Sequence, residues 1–286
     1  MEDAILKTTG LCKSFGKTEV LKDIDYTLRR GEVYGLIGQN GAGKTTLLRL
    51  IAGLMKPTGG QITLNTQKRF IGYMPQSCRF DENSTAAGVL EFYASLRNAD
   101  VQESIALCKR LNFDCTKRVK HLSPGQQKKL LMLIAMAGDP DLYILDEPTA
   151  GLDPAATDEM SQLITLLHEK GKSIIVSSHI LQDMDAVCTD VAIMERGRLI
   201  YNRSVGSRYT VKTNSLSGEI VLAVQKQYHA VYHQEQSVLT IEAEREEIAG
   251  VIRLLTTLSA DIYEVTRSDV KTIAREHMSR KETVLS

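Results

Sequence analysis

The sequence carries no net charge: 35 lysines and arginines balance 35 aspartates and glutamates. No global field therefore points to nucleic acid or to an anionic membrane surface. A C-x-x-C pair is also missing, and the five cysteines (Cys12, Cys78, Cys108, Cys115, Cys188) are scattered. Such an odd, unpatterned set predicts reduced thiols in a cytosolic protein. Long apolar runs are absent too. The longest lies near Leu130 to Ala137, far short of the roughly 20 residues that a spanning helix needs. The opening Met1-Glu2-Asp3 is acidic and no long apolar stretch follows, so no secretory signal is expected. Work at a membrane would require another chain to do the spanning. No internal repeat and no heptad run is visible.

What is present is a globular balance. Hydrophobic residues make up 43% and charged residues 24% of 286, enough for one large or two ordinary domains and too apolar for disorder. The sharpest signal is Gly38-Gln39-Asn40-Gly41-Ala42-Gly43-Lys44-Thr45. It fits G-x-x-x-x-G-K-[ST], the phosphate-binding P-loop, and its context agrees. The apolar run Val33-Tyr34-Gly35-Leu36-Ile37 reads as a buried strand leading in, and Thr45 to Ile51 as a helix leading out. The glycines let backbone N–H groups curl around an anion, and the helix N-terminus adds its positive dipole end. Lys44 supplies a point charge for β- and γ-phosphates, and the Thr45 hydroxyl is a Mg²⁺ ligand of the right type.

Before the P-loop, Ala4-Ile5-Leu6 and Val20 to Leu28 read as short strands, with Phe15-Gly16 in the connection. Phe15 there either stacks on a base or packs on the small sheet. Beyond it, Gln61 to Asn65 and Arg69 to Met74 read as strands, and Gln76 emerges from the second into a loop. Its amide could reach Mg²⁺ or an attacking water. Asn83 to about Gly138 has helical texture, including Leu90, Tyr93, Ala94 and Arg97 on one face and Ile105, Leu107, Cys108 and Leu111 on another. Within it, Ser123 suits a helix N-cap and Pro124 the first turn of a helix running to Gly138. That makes a second candidate anion site at a helix N-terminus.

Leu142 to Leu145 reads as a buried strand ending in Asp146-Glu147, where open α/β sheets place ligands. Asp146 suits Mg²⁺, and Glu147 suits orienting or deprotonating water. Gly151-Leu152-Asp153-Pro154 is a turn into a helix through Leu167, closed at Gly171. Ser173 to Ser178 is another buried strand ending at His179, placed to donate to a γ-phosphate. Val191 to Met194 and Arg198 to Tyr201 read as a strand pair around a glycine turn. Past Val205, Tyr209 to Lys212, Glu219 to Val224, Ser237 to Ile241 and Asp261 to Val265 look like strands. Glu244 to Ser259 looks like an amphipathic helix, and Asp269 to Met278 like a last one before a frayed end.

In this order the features resemble the nucleotide-binding subunit of ATP-binding-cassette (ABC) transporters over residues 4 to about 203. Phe15 matches the A-loop, Gly38 to Thr45 Walker A, and Gln76 the Q-loop. Leu122 to Gln126 matches the signature, Leu142 to Glu147 Walker B with its catalytic glutamate, Gly151 to Asp153 the D-loop, and His179 the switch histidine. The tail resembles the C-terminal domain of ABC-2-type exporter ATPases, including drug and antimicrobial-peptide exporters. Two departures stand out. Pro124 replaces a usual glycine, and Lys128-Lys129 replaces an arginine-containing sequence, keeping charge without the planar fork.

The resemblance implies an α/β P-loop ABC ATPase fold: a RecA-like core, an antiparallel β subdomain and a helical subdomain at about 77–138. This occupies 1–203, with a small C-terminal α/β accessory domain over 204–286, ferredoxin-like and without a motif that carries chemistry. It implies catalysis by Glu147, His179 and Gln76. ATP would be held by Phe15, Gly38, Asn40, Gly41, Ala42, Gly43, Lys44, Thr45 and Thr46, and Mg²⁺ by Thr45, Gln76 and Asp146. Ser123, Gly125 and Gln126 would complete the site in trans, beside Asp153 of the D-loop. The implied partners are a second ATPase subunit, a homodimer, and a transmembrane permease, with no nucleic acid. The implied location is cytoplasmic and peripheral on the inner face of the cell membrane. The competing reading is a soluble non-transport ABC ATPase acting on ribosome or DNA. Such relatives usually carry two cassettes or a coiled-coil insertion, and this chain has one Walker A.

Overall fold

A computed structural model describes residues 3–66, 71–179, 188–204, 208–243 and 247–267. The chain divides into two units, Met1–Asn202 and Arg203–Ser286.

The first unit begins with β1 (Ala4–Phe15) and β2 (Thr18–Arg29), an antiparallel hairpin. The short strand expected at Ala4-Ile5-Leu6 thus runs on to Phe15. Register shifts along the pair interrupt the alternation that the sequence would show in a regular strand. The Thr8 hydroxyl, buried, donates to Ile24 O at 2.9 Å. β3 (Val33–Ile37) follows, buried at all five positions, and α1 (Lys44–Ile51) leaves the loop after it. β4 (Gly59–Leu64) pairs with the other side of β1, completing a three-stranded antiparallel sheet. β5 (Ile71–Met74) follows, and Arg69 and Phe70, expected in the same strand, lie outside the described residues.

The helical stretch comprises α2 (Ala86–Leu96), α3 (Val101–Arg110) and α4 (Pro124–Met136). Thr85 and Asp100 cap the first two through side-chain oxygens. Leu90, Cys108, Val119, Leu130 and Leu133 form their shared core. β6 (Leu142–Asp146), α5 (Pro154–Glu169), β7 (Ser173–Ser178), β8 (Asp190–Glu195) and β9 (Arg198–Ser204) complete the unit.

Strands β5, β6, β7, β3, β8 and β9 lie in that order in one sheet. The β5–β6, β6–β7, β7–β3 and β3–β8 pairs are parallel. Their carboxyl ends therefore share one edge, so Met74, Ile37, Asp146 and Ser178 deliver the loops that follow them to one place. α1 packs Leu47, Leu48, Leu50 and Ile51 into a core with Ile24, Leu28, Leu142 and Ile144. At about 1.5–3 kcal/mol for each fully buried side chain, this packing holds the start of α1 against the sheet.

The second unit runs β10 (Arg208–Thr213), α6 (Gly218–Gln225), β11 (His229–His233), β12 (Val238–Glu242), α7 (Ile248–Thr257) and β13 (Ile262–Arg267). Its antiparallel sheet has the order β11-β12-β10-β13. The strand expected at Glu219 to Val224 is instead the helix α6. The run Ile220 to Val224 is apolar throughout, so it has no period-2 signal, and Ser217 caps it by accepting from Ile220 N. β11 was not anticipated; its polar ends His229 and His233 are exposed. α7 is shorter than the expected Glu244–Ser259 and buries Val251 and Leu255, while 244–246 and the helix expected at Asp269 to Met278 lie outside the described residues.

Candidate functional site

The P-loop backbone is shaped by its neighbours. Gly43 has φ +110°, and a Cβ there would lie 2.8 Å from Leu21 Cδ2. A Cβ on Gly38 would meet Met194 O at 2.5 Å. Only glycine fits either position. The turn after β8 braces the loop, because Gly197 N donates to Ala42 O at 2.9 Å while Gly197 O accepts from Lys22 N at 2.8 Å. At the N-terminus of α1 no side chain caps the helix, so its first amides are left to an anion.

A cavity of about 340 Å³ opens at this point. It is lined by Val20, Gln39, Asn40, Gly41, Gly43, Lys44, Thr45, Thr46, Gln76 and Glu147. Strand β2, the P-loop with the start of α1, and the loops after β5 and β6 thus meet here. Phe15, His179, Asp153 and the signature residues Ser123, Gly125 and Gln126 do not line it. Phe15 closes β1 at 48% exposure, with Lys13 Nζ 5.0 Å above its ring. Ala42 is buried beneath the loop, and Gly38 contributes its carbonyl.

Lys44 is buried. Its ammonium donates to Gly38 O at 2.6 Å and lies 3.1 Å from Glu147 Oε1. His179 Nδ1 meets Glu147 Oε2 at 2.5 Å. Both carboxylate oxygens are thus engaged, one by a cation and one by an imidazole. Glu147 itself adopts φ +51°, a strained conformation for a residue with a side chain. Its N–H donates to Ser177 Oγ at 3.0 Å, and Ser177 Oγ donates to Asp146 Oδ1 at 2.8 Å. Thr45 Oγ1 also reaches Asp146 Oδ1, at 3.3 Å. Asp146 Oδ2 is buried and has no hydrogen-bond partner among the described residues. A carboxylate oxygen left bare beside a threonine hydroxyl suits a hard cation.

The second helix N-terminus is closed on itself. Ser123 Oγ accepts from Gln126 N at 3.2 Å, and Gln126 Oε1 accepts from Ser123 N at 3.1 Å, a reciprocal capping box with Pro124 in the first turn. Asp153 caps α5 by a single bond, accepting from Ala156 N at 2.8 Å. Lys129 pairs with Glu159 at 2.7 Å. Lys128 reaches the other way, donating to Gln76 O at 2.8 Å and to Glu147 O at 2.7 Å. Burial holds its ammonium below the usual lysine range, against the opposing pull of Asp146 and Glu147.

Sequence reasoning missed Ser177 and the inward reach of Lys128. A polar residue late in an otherwise buried strand, Ser173 to Ser178, was the available signal for Ser177. Lys128 stands out by residue type, but nothing local gives its reach to partners 52 and 19 positions away.

A family model described as ABC transporter matches residues 21–150. An uncharacterised ABC transporter ATP-binding protein of Bacillus subtilis is 30% identical over 283 residues, spanning 91% of each chain. The Nod factor export ATP-binding protein I of Cupriavidus pinatubonensis is 32% identical over 266 residues, 86% of this chain and 78% of its own. A solved ATP-binding subunit of an ABC transporter aligns with a TM-score of 0.65 at 29% identity, over 70% of this chain and 90% of its own. The resemblance drawn from ordered motifs and the fold expected from it are borne out. With a P-loop cavity, an adjacent buried aspartate and glutamate, and relatives that align along most of its length, this chain belongs to the ABC transporter ATP-binding subunit family and is an ATPase.

Proposed function

We propose that the chain is the ATP-driven motor of an exporter whose membrane permease is a separate polypeptide. The observation that carries this is the Lys44–Glu147 pair in the wall of a cavity, backed by His179 on Glu147, to which the chain's own signature contributes nothing. A second copy, packed head to tail, would present Ser123, Gly125 and Gln126 to the open side. ATP held between the two copies then joins them, and its hydrolysis releases them.

The residues divide the work. The loop amides and the α1 N-terminus take the phosphates, and Lys44 exchanges Glu147 for the γ-phosphate. That exchange leaves the Glu147 carboxylate oriented by His179 and available to take a proton from the attacking water. Thr45, Asp146 and Gln76 would hold Mg²⁺. When bound, the ion would supply positive charge to offset that of the phosphates. Gln76 lines the cavity and leads into a loop suited to reporting the site to the permease. Exposed Phe92 and Leu96 on α2 offer that partner apolar contact. Among the described residues no helix is long and apolar enough to cross a membrane. We read residues 204–286 as a ferredoxin-like accessory domain on its βαββαβ order. Export is supported by the likeness to the Nod factor export ATP-binding protein I.

The test is Glu147→Gln. It should lower kcat by about 10²–10⁴-fold and trap an ATP-bound dimer by size-exclusion chromatography. Wild type that neither binds nor hydrolyses MgATP, alone or with a co-purified polytopic partner, would sink the reading.

A further inference from the structure

We propose that Lys128 is a positioning residue that ties the signature helix of one nucleotide site to the hydrolytic carboxylate of the other. The inference rests on the head-to-tail reading above. Lys128 lies in the second turn of α4, the helix whose first residues would cap the nucleotide held by the second copy. Its ammonium turns away from that end and grips two backbone carbonyls of its own site, Gln76 O at 2.8 Å and Glu147 O at 2.7 Å. These two residues are the ones that line the phosphate cavity from outside the P-loop and α1, apart from Val20.

The geometry gives the grip leverage. Glu147 stands at φ +51°, a conformation that persists only when its surroundings over-determine it. Ser177 Oγ holds its N–H on one side, and on the other its C=O takes a short bond from Lys128 beside a longer one, 3.3 Å, from Ala150 N. The carboxylate is therefore aimed by a peptide fixed at both ends, and one of those ends is carried by α4. Hydrogen bonds from an ammonium are charge-assisted and stronger than neutral ones. A small cleft of about 140 Å³ lies at this junction, where Gln76, Pro124, Lys128 and Leu152 converge. Any shift of α4 as its N-terminus engages a phosphate must displace the two carbonyls or break their bonds. Lys128 touches neither the nucleotide cavity nor the capping box, so its effect falls on turnover rather than on binding.

The experiment compares full-length wild type, Lys128→Met and Lys128→Arg in steady-state ATP hydrolysis across ATP concentration, with thermal unfolding run in parallel. Lys128→Met keeps the length of the side chain and removes its donors. It should lower kcat roughly ten-fold, the scale of one lost charge-assisted bond, and move the KM for ATP less than two-fold. The Hill coefficient for ATP should fall toward one. Lys128→Arg, which retains donors and charge, should recover at least a third of wild-type kcat. In the Glu147→Gln background, Lys128→Met should leave ATP-dependent dimerisation at the same ATP concentration. Wild-type kcat and Hill coefficient in Lys128→Met overturn the proposal. So does a raised KM at unchanged kcat, or a loss of kcat that Lys128→Arg does not recover. If Lys128→Met does not fold, Lys128→Gln is judged by the same criteria. Failure of the motor reading itself is separate, since it shows as absent hydrolysis by wild type or absent trapping by Glu147→Gln.

Discussion

Two helix N-termini carry the proposed phosphate chemistry, and they are built differently. α1 starts at a left-handed glycine with no side-chain cap, beneath a cavity and beside a buried lysine. α4 starts at Ser123 with a complete capping box and lies exposed. The first leaves donors for a ligand at all times, because its loop is locked by Leu21, Met194 and Gly197. The second satisfies itself until something better arrives. A preformed cradle suits a group that binds first, and a self-closed end suits one that joins only when a charged partner is delivered. The energetic scale agrees, since a cap is worth about 1 kcal/mol, small enough for a phosphate to displace.

The contrast can be broken or sharpened by substitution. Glu147→Gln, acting on the floor of the α1 cradle, has the largest expected effect, the loss of kcat described above. Lys44→Ala should come next. It should weaken ATP affinity by about 1.5–3 kcal/mol, roughly ten- to a hundred-fold, as a charged donor is lost. Equilibrium binding of a fluorescent ATP analogue reads this, and an unchanged Kd would mean that Lys44 keeps its Glu147 partner when nucleotide binds. Lys128→Met, with its ten-fold effect on kcat, lies between the two helix ends and links them. Ser123→Ala should cost about 1 kcal/mol through the lost cap, lowering Tm by roughly 2–4 °C, while ATP affinity of the isolated chain holds. If affinity fell as for Lys44→Ala, the two ends would share one site within a single chain. Pro124→Gly should have the smallest effect, a loss of about 0.4–1 kcal/mol from greater freedom of the unfolded chain. A rise in Tm would show that the proline is strained in the first turn of α4.

Much of the site was legible because it is written in short, contiguous signals. Gly38 to Thr45 requires a strand before and a helix after, and Ser123-Pro124 announces a capped helix start. Asp146-Glu147 follows a run of apolar residues that cannot be a surface loop. Errors fell where the signal was not local. β1 was cut short because its bulges break the period of two, and α6 was read as a strand because an all-apolar run has no period. In α6 the deciding contribution is Ser217, whose oxygen satisfies a helical amide. Ser177 and the inward reach of Lys128 escape a local reading because their importance lies in what they touch.

By itself, the sequence determined the chemistry available: a phosphate loop, a lysine, two adjacent carboxylates, a histidine and a capped helix. Each is a matter of residue type and spacing along one or two turns of chain. Only the tertiary structure decided which groups share a site. Parallel pairing of β3, β6 and β7 puts Lys44, Glu147 and His179 within contact, though they are 32 to 135 positions apart in the chain. It also leaves Asp146 Oδ2 without a partner among the described residues and turns Lys128 inward onto two carbonyls. The reason is geometric. Strand order sets which carboxyl ends are neighbours, and strand order is a property of long-range packing that no local run of residues encodes.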